Sequence, residues 1–91
     1  MKKRLNLKII GQVQGIGFRY WAQQQAQKFG LTGWVKNEDD GSVSLVVEGD
    51  EEDLKKFLDI CKKGSSFSSV EEIQEAWGKS TGEFQNFEIK F

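Results

Sequence analysis

Histidine is absent from this 91-residue chain, and cysteine occurs once, at Cys61. No intramolecular disulfide can form, and the usual zinc and copper sites cannot be assembled without histidine or a second cysteine. Neither sign of charge dominates: thirteen basic side chains stand against fourteen acidic ones, a formal charge of −1. A nucleic-acid footprint would normally show as a basic excess or stripe, and none is present. Long apolar runs are missing as well. "MKKRLNLKIIGQV" begins in the manner of a signal peptide, but Asn6 and Lys8 interrupt it and no small-residue cleavage site follows. Nothing approaches the roughly 20 residues of a membrane-spanning helix. A cytoplasmic protein with neither membrane nor nucleic-acid partners is the expectation.

What remains is 37% hydrophobic and 30% charged, the balance of a globular chain. Residues 1–91 are expected to make one domain. A chain of this size buries roughly 60 to 65% of its unfolded surface, so folding alone is feasible.

Periodicity divides the chain. "RLNLKII" alternates, with Leu5, Leu7 and Ile9 on one face, as a half-buried strand does. After Gly11–Gly17 the period lengthens: Phe18, Ala22, Ala26 and Phe29 share one side of a helix, and Gly30 stands where a helix terminates. "LTGWVKN" and "SVSLVVEG" read as strands joined through "EDDGS", whose Asp-Gly is a hairpin signal. A second helix carries Leu54, Phe57, Leu58 and Cys61 as its stripe, with Asp50 as the expected N-cap and Lys62-Lys63-Gly64 as its close. "SSFSS" is a loop and "VEEIQEAW" a Glu-rich fourth strand. "FQNFEIKF" is a last strand with Phe87, Ile89 and Phe91 on one face. The order βαββαβ plus one strand predicts an α+β, ferredoxin-like two-layer sandwich, with a mainly antiparallel sheet and two helices on one face.

"GQVQGIGFRY" holds three glycines in the turn from strand to helix. Such a turn presents successive backbone N–H groups together, and the helix dipole favours an anion there. Gly15 and Gly17 adopt positive φ at low cost and carry no Cβ to block approach. Arg19 falls in the first helical turn, where its guanidinium can fork two phosphate oxygens. The loop is neither G-x-x-x-x-G-K-[ST] nor G-x-G-x-x-G, so a small phosphorylated molecule is indicated over a nucleotide. The plain alternative is a tight turn that happens to carry an arginine.

Two segments together decide between these. "GQVQGIGFR" resembles the acylphosphatase signature G-x-V-Q-G-V-x-F-R, with Ile16 in place of the usual valine, and "GWVKNEDDGSV", Gly33 to Val43, resembles the second signature of that family. The resemblance extends over essentially the whole chain. It implies hydrolysis of the carboxyl–phosphate anhydride of acyl phosphates to a carboxylate and inorganic phosphate, with no metal, no cofactor and no covalent intermediate. It implies that Arg19 binds the phosphate, that Asn37 positions the attacking water, and that the amides of Gly15, Ile16, Gly17, Phe18 and Arg19 form the cradle. Ser42 is a candidate to orient Asn37 through a hydrogen bond. Many relatives have prolines after the second helix; this chain has none at all, which predicts a looser connection there.

The chemistry tolerates a chain without histidine. Phosphoryl transfer relies on positioning and charge stabilisation. An acyl phosphate brings its own good leaving group, and its phosphate oxygen can take the proton from water. Other features have simpler readings. Glu38, Asp39 and Asp40 suit a solvated turn; Trp21, Trp34, Trp77 and Tyr20 suit core or partial core; Cys61 suits a buried, inert thiol. Two further functions compete. One is a non-catalytic module that binds an acyl or carbamoyl phosphate, as in the similar domain opening a larger carbamoyl-transfer enzyme of hydrogenase maturation. The presence of both Arg19 and Asn37, in a chain ending at Phe91, favours a stand-alone monomeric enzyme with a small acyl phosphate as partner. The other is an RNA-binding sheet, for which the outward positions Lys8, Ser44 and Val46 offer no aromatic platform.

Overall fold

A computed structural model describes residues 1–91. Five strands and two helices follow one another as β1 (Lys2–Gln12), α1 (Phe18–Lys28), β2 (Thr32–Asn37), β3 (Val43–Asp50), α2 (Glu51–Lys63), β4 (Ser69–Lys79) and β5 (Phe87–Lys90). They form one sheet in the order β4-β1-β3-β2-β5. All pairings are antiparallel except β2 with β5, which is parallel. The architecture is the ferredoxin-like sandwich that the βαββαβ pattern predicts, extended by an edge strand.

The alternation in β1 and β3 decides which face is covered. Leu5, Leu7 and Ile9 stand opposite Val47, Leu45 and Val43, and all six are buried. α1 supplies Phe18, Ala22 and Ala26, and α2 supplies Leu54, Phe57, Leu58 and Cys61 to the same core. Alanine at two core positions of α1 lets that helix lie close to the sheet; larger side chains there would overpack it at about 1–3 kcal/mol. The tryptophans divide. Trp21 packs on the core with its ring 5.2 Å from that of Phe18, whereas Trp77 is exposed and Tyr20 is 60% exposed. Core placement therefore fails for those two: Trp77 lies on an edge strand, and Tyr20 projects from the open side of α1.

Two terminal details differ from expectation. Asp50 occupies the N-cap position of α2 but its side chain caps nothing; the Glu51 N–H donates to the Met1 carbonyl at 3.0 Å. Phe91 lies past the end of β5 and is almost fully exposed, because no element covers that side of the last residue.

β4 and β5 occupy opposite edges, so the segment between them must traverse the sheet. Glu48 holds it down. This acid is 4% exposed and accepts hydrogen bonds from Arg4 Nε (2.8 Å), from the Thr81 and Gly82 N–H groups, and from the Ser80 and Thr81 hydroxyls. A carboxylate so buried is tolerated only with such a full set of donors. Burial pushes its pKa up, but the Thr81 and Gly82 amides, Arg4 and the Thr81 hydroxyl together outweigh that and hold it at about 2. Arg4 also pairs with Glu83 and lies 5.2 Å over the Phe84 ring.

Candidate active site

Strands β1, β2 and β5 run in the same direction, since β3 is antiparallel to the first two and β5 is parallel to β2. Their C-terminal ends therefore meet at one end of the sheet, away from the crossover that Glu48 holds. There β1 loses its pairing with β3 beyond Ile9 and bulges between Ile10 and Gly11. A Cβ at Gly11 would sit 2.0 Å from the Ser69 carbonyl oxygen, so only glycine lets β1 stay paired with β4 past the bulge. A cleft of about 320 Å³ lies at this end, lined by Val13, Gly15, Gly17, Phe18, Arg19, Tyr20, Asn37, Ile89 and Phe91. That is the lower end of the roughly 300–1,000 Å³ of small-molecule sites, room for a single phosphate with a small substituent.

Gly15 and Gly17 have φ of +77° and +76°. No protein atom lies within 4 Å of where their Cβ atoms would be, so backbone conformation, not crowding, calls for glycine. Gly17 is the N-cap of α1 and provides no side-chain cap; the first helical bond runs from the Trp21 N–H to its carbonyl, at 3.0 Å. None of the five amides from Gly15 to Arg19 donates to a protein acceptor. Uncapped N–H groups at the positive end of a helix are an anion site.

Arg19 stands beside them. Its Nη1 donates to the Lys90 carbonyl at 2.9 Å, and its guanidinium lies 4.6 Å over the Phe91 ring. One of five N–H donors is thus engaged, which leaves four for a ligand while the group is held in place.

Asn37 ends β2 on the wall of the same cleft. Its Oδ1 is buried without a donor, so the amide is unpaired within the protein. Ile16 is not part of the cleft wall; its side chain packs against the core and only its amide belongs to the loop. Ser42 departs from expectation. Its hydroxyl donates to Asp40 Oδ1 at 2.6 Å, and its N–H to the same oxygen at 2.9 Å. It makes no bond to Asn37, because a carboxylate two residues away offers a shorter local closure. Lys8 reaches the other Asp40 oxygen at 2.9 Å. The Ser42 hydroxyl first, then Lys8 and the Ser42 N–H, hold the Asp40 carboxyl well below the usual carboxylate range, and Asp40 in turn raises Lys8. These contacts fasten the β2–β3 turn to β1.

Four contributors leave little mark in sequence patterning. The Lys90 carbonyl is backbone. Tyr20 and Ile89 line the cleft as ordinary apolar-patterned residues. Gln14, inside the first signature, donates both amide hydrogens to the β2–β3 turn, to the Glu38 and Ser42 carbonyls at 2.8 Å each. Nowhere do three or more His, Cys, Asp or Glu side chains gather as a metal-ligand set.

The sheet topology defines a small α+β protein of the ferredoxin-like class, with an uncapped glycine turn and an anchored arginine at one end of its sheet. The acylphosphatase family model matches residues 5–89. The chain is 49% identical to the acylphosphatase of Bacillus licheniformis over 83 residues, covering 91% of this chain and 92% of that one. The crystal structure of acylphosphatase from Bacillus subtilis superposes with a TM-score of 0.94 at 40% identity, covering 98% and 99% of the two chains. Full-length HypF, in its phosphate- and nucleotide-bound form, matches at 33% identity and TM-score 0.91, with this chain spanning 12% of that much longer one. The chain belongs to the acylphosphatase family, hydrolases that cleave the carboxyl–phosphate anhydride of acyl phosphates.

Proposed function

We propose that the cleft cleaves a small acyl phosphate by direct attack of water, with Arg19 and Asn37 as its catalytic residues. The observation that carries this is the run of five unpaired amides beside an arginine with four free donors. The phosphoryl group lies on the Gly15–Arg19 amides, and Arg19 compensates the charge that spreads over its oxygens as the P–O bond to the acyl group breaks. The leaving group departs as a carboxylate. The attacking water gives its proton to a phosphate oxygen, so no side-chain base is needed.

Asn37 fixes the line of attack. An amide acceptor buried without a donor costs about 1–3 kcal/mol, so the side chain gains by turning about χ2 when a donor arrives. Oδ1 then accepts from the water. The chain works as a monomer in the cytoplasm on this reading, in keeping with a lone cysteine that is buried and unpaired.

Hydrolysis of benzoyl phosphate in the presence of a chelator tests the roles. Arg19→Ala should lower kcat/KM by roughly 10³-fold or more. Asn37→Ala should lower kcat by about 10²-fold or more while inorganic phosphate still inhibits at wild-type concentrations. Full turnover in either variant removes that residue from the mechanism.

A further inference from the structure

We infer that Gln14 is a positioning residue: its side-chain amide sets the gap between the phosphate cradle and the water-positioning asparagine. This rests on the roles proposed above for Arg19 and Asn37. The two halves of the site come from chain segments that have already parted. β1 pairs with β3 only as far as Ile9↔Val43, and β2 with β3 only as far as Asn37↔Val43. Beyond those pairs the glycine loop and the β2–β3 turn are bridged by one side chain. Gln14 immediately precedes Gly15, the first cradle amide. One of its two acceptors, the Glu38 carbonyl, immediately follows Asn37. The bond thus joins the neighbour of the phosphate site to the neighbour of the water site.

The acceptors already have partners. The Ser42 carbonyl takes the Glu38 N–H at 2.9 Å, and the Glu38 carbonyl takes the Gly41 N–H at 3.2 Å. Asp40, Ser42 and Lys8 close the same turn independently. Loss of the Gln14 donors therefore orphans no acceptor and leaves the turn formed. What disappears is the link between the glycine loop and the turn. A side chain kept for stability would be expected to satisfy groups that otherwise go unpaired; these do not. Displacement of a water by about 1 Å from its line of attack is worth roughly 10²-fold in rate, so a loose gap costs turnover far more than it costs folding.

The test is a double-mutant cycle on benzoyl phosphate hydrolysis. Gln14→Met keeps the volume and removes the donors; Gln14→Leu removes them too without adding charge beside the anion site, and it carries the test if the methionine variant fails to fold. We expect kcat to fall about tenfold or more, inhibition by inorganic phosphate to change by less than about twofold, and Tm to move by no more than about 3 °C. In an Asn37→Ala background the same change should cost little further, because a residue acting through Asn37 has nothing left to position. Wild-type kcat, a phosphate affinity lost in step with kcat, or costs that multiply in the double variant each overturn the inference. Full turnover by the Asn37→Ala variant instead overturns the mechanism on which it rests, and the single-variant arm reads that separately.

Discussion

Gly17 joins two demands at one residue. Its φ of +76° lies in the left-handed region, and it opens α1 without a capping side chain. Alanine at this position pays about 1–2 kcal/mol in backbone strain. It meets no protein atom within 4 Å, so any further loss must come from crowding the anion. Gly17→Ala should therefore lower Tm by roughly 4–16 °C at this size, while raising the inhibition constant for inorganic phosphate several-fold. Thermal melts and phosphate inhibition of the same preparation check both. A drop in Tm with unchanged phosphate inhibition would mean that the Cβ points clear of the ligand. Arg19 illustrates the complementary situation. Its place in the first helical turn follows from the glycine-to-helix pattern, whereas the carbonyl that anchors it belongs to Lys90, 71 residues away. Backbone acceptors leave no trace in a side-chain pattern.

The elements that the sequence reveals most clearly are those with one covered face. β1, β3 and both helices bury regular positions, so hydrophobic period and structure coincide. β4 is an edge strand with only Val70 and Ile73 partly covered, and its three glutamates face solvent; alternation there is weak because little is buried. The parallel pairing of β5 with β2 has no local signature, since it depends on a crossover. That crossover depends on Glu48, whose place in "SLVVEGD" resembles that of any strand-end acid. Ser42 was legible as a polar strand residue and misleading as a partner for Asn37, because the nearer carboxylate of Asp40 wins. Acid provides a test at this scale. The folded-state pKa of Glu48, about 2, lies below the ordinary glutamate value of about 4.3. The unfolded chain then binds more protons between those values, so the contribution is complete above about pH 5 and is lost as pH falls through 2. We expect Glu48→Gln to be less stable than wild type at pH 7 by roughly 2 kcal/mol, allowing for screening on the solvent side of the cluster. The difference should shrink toward pH 2 in urea melts; a difference independent of pH would show that the carboxylate charge does not hold the crossover.

Across the whole molecule, Cys61 reports on integrity. It is fully buried on the inner side of α2, and burial pushes its thiol up to about 12. An alkylating reagent at neutral pH should reach it only through opening of the core, at 10⁻³ or less, to order of magnitude, of the rate for a free thiol. Labelling by mass spectrometry along a urea titration should follow the unfolding curve; rapid labelling without urea would mean that α2 opens on its own.

The parallel edge pair has a consequence for how the chain acquires its activity. Gly33 meets Phe87 across 54 residues, and Arg19 meets Lys90 across 71. Closures over such separations are the slow events of folding, on the millisecond-to-second scale for topologies rich in distant pairings. Helix α1 and the β2–β3 hairpin are local and form their contacts without β5. The arginine, however, is seated only once β5 has docked, so on the mechanism proposed above, competence to hydrolyse requires that distant closure as well as the local elements.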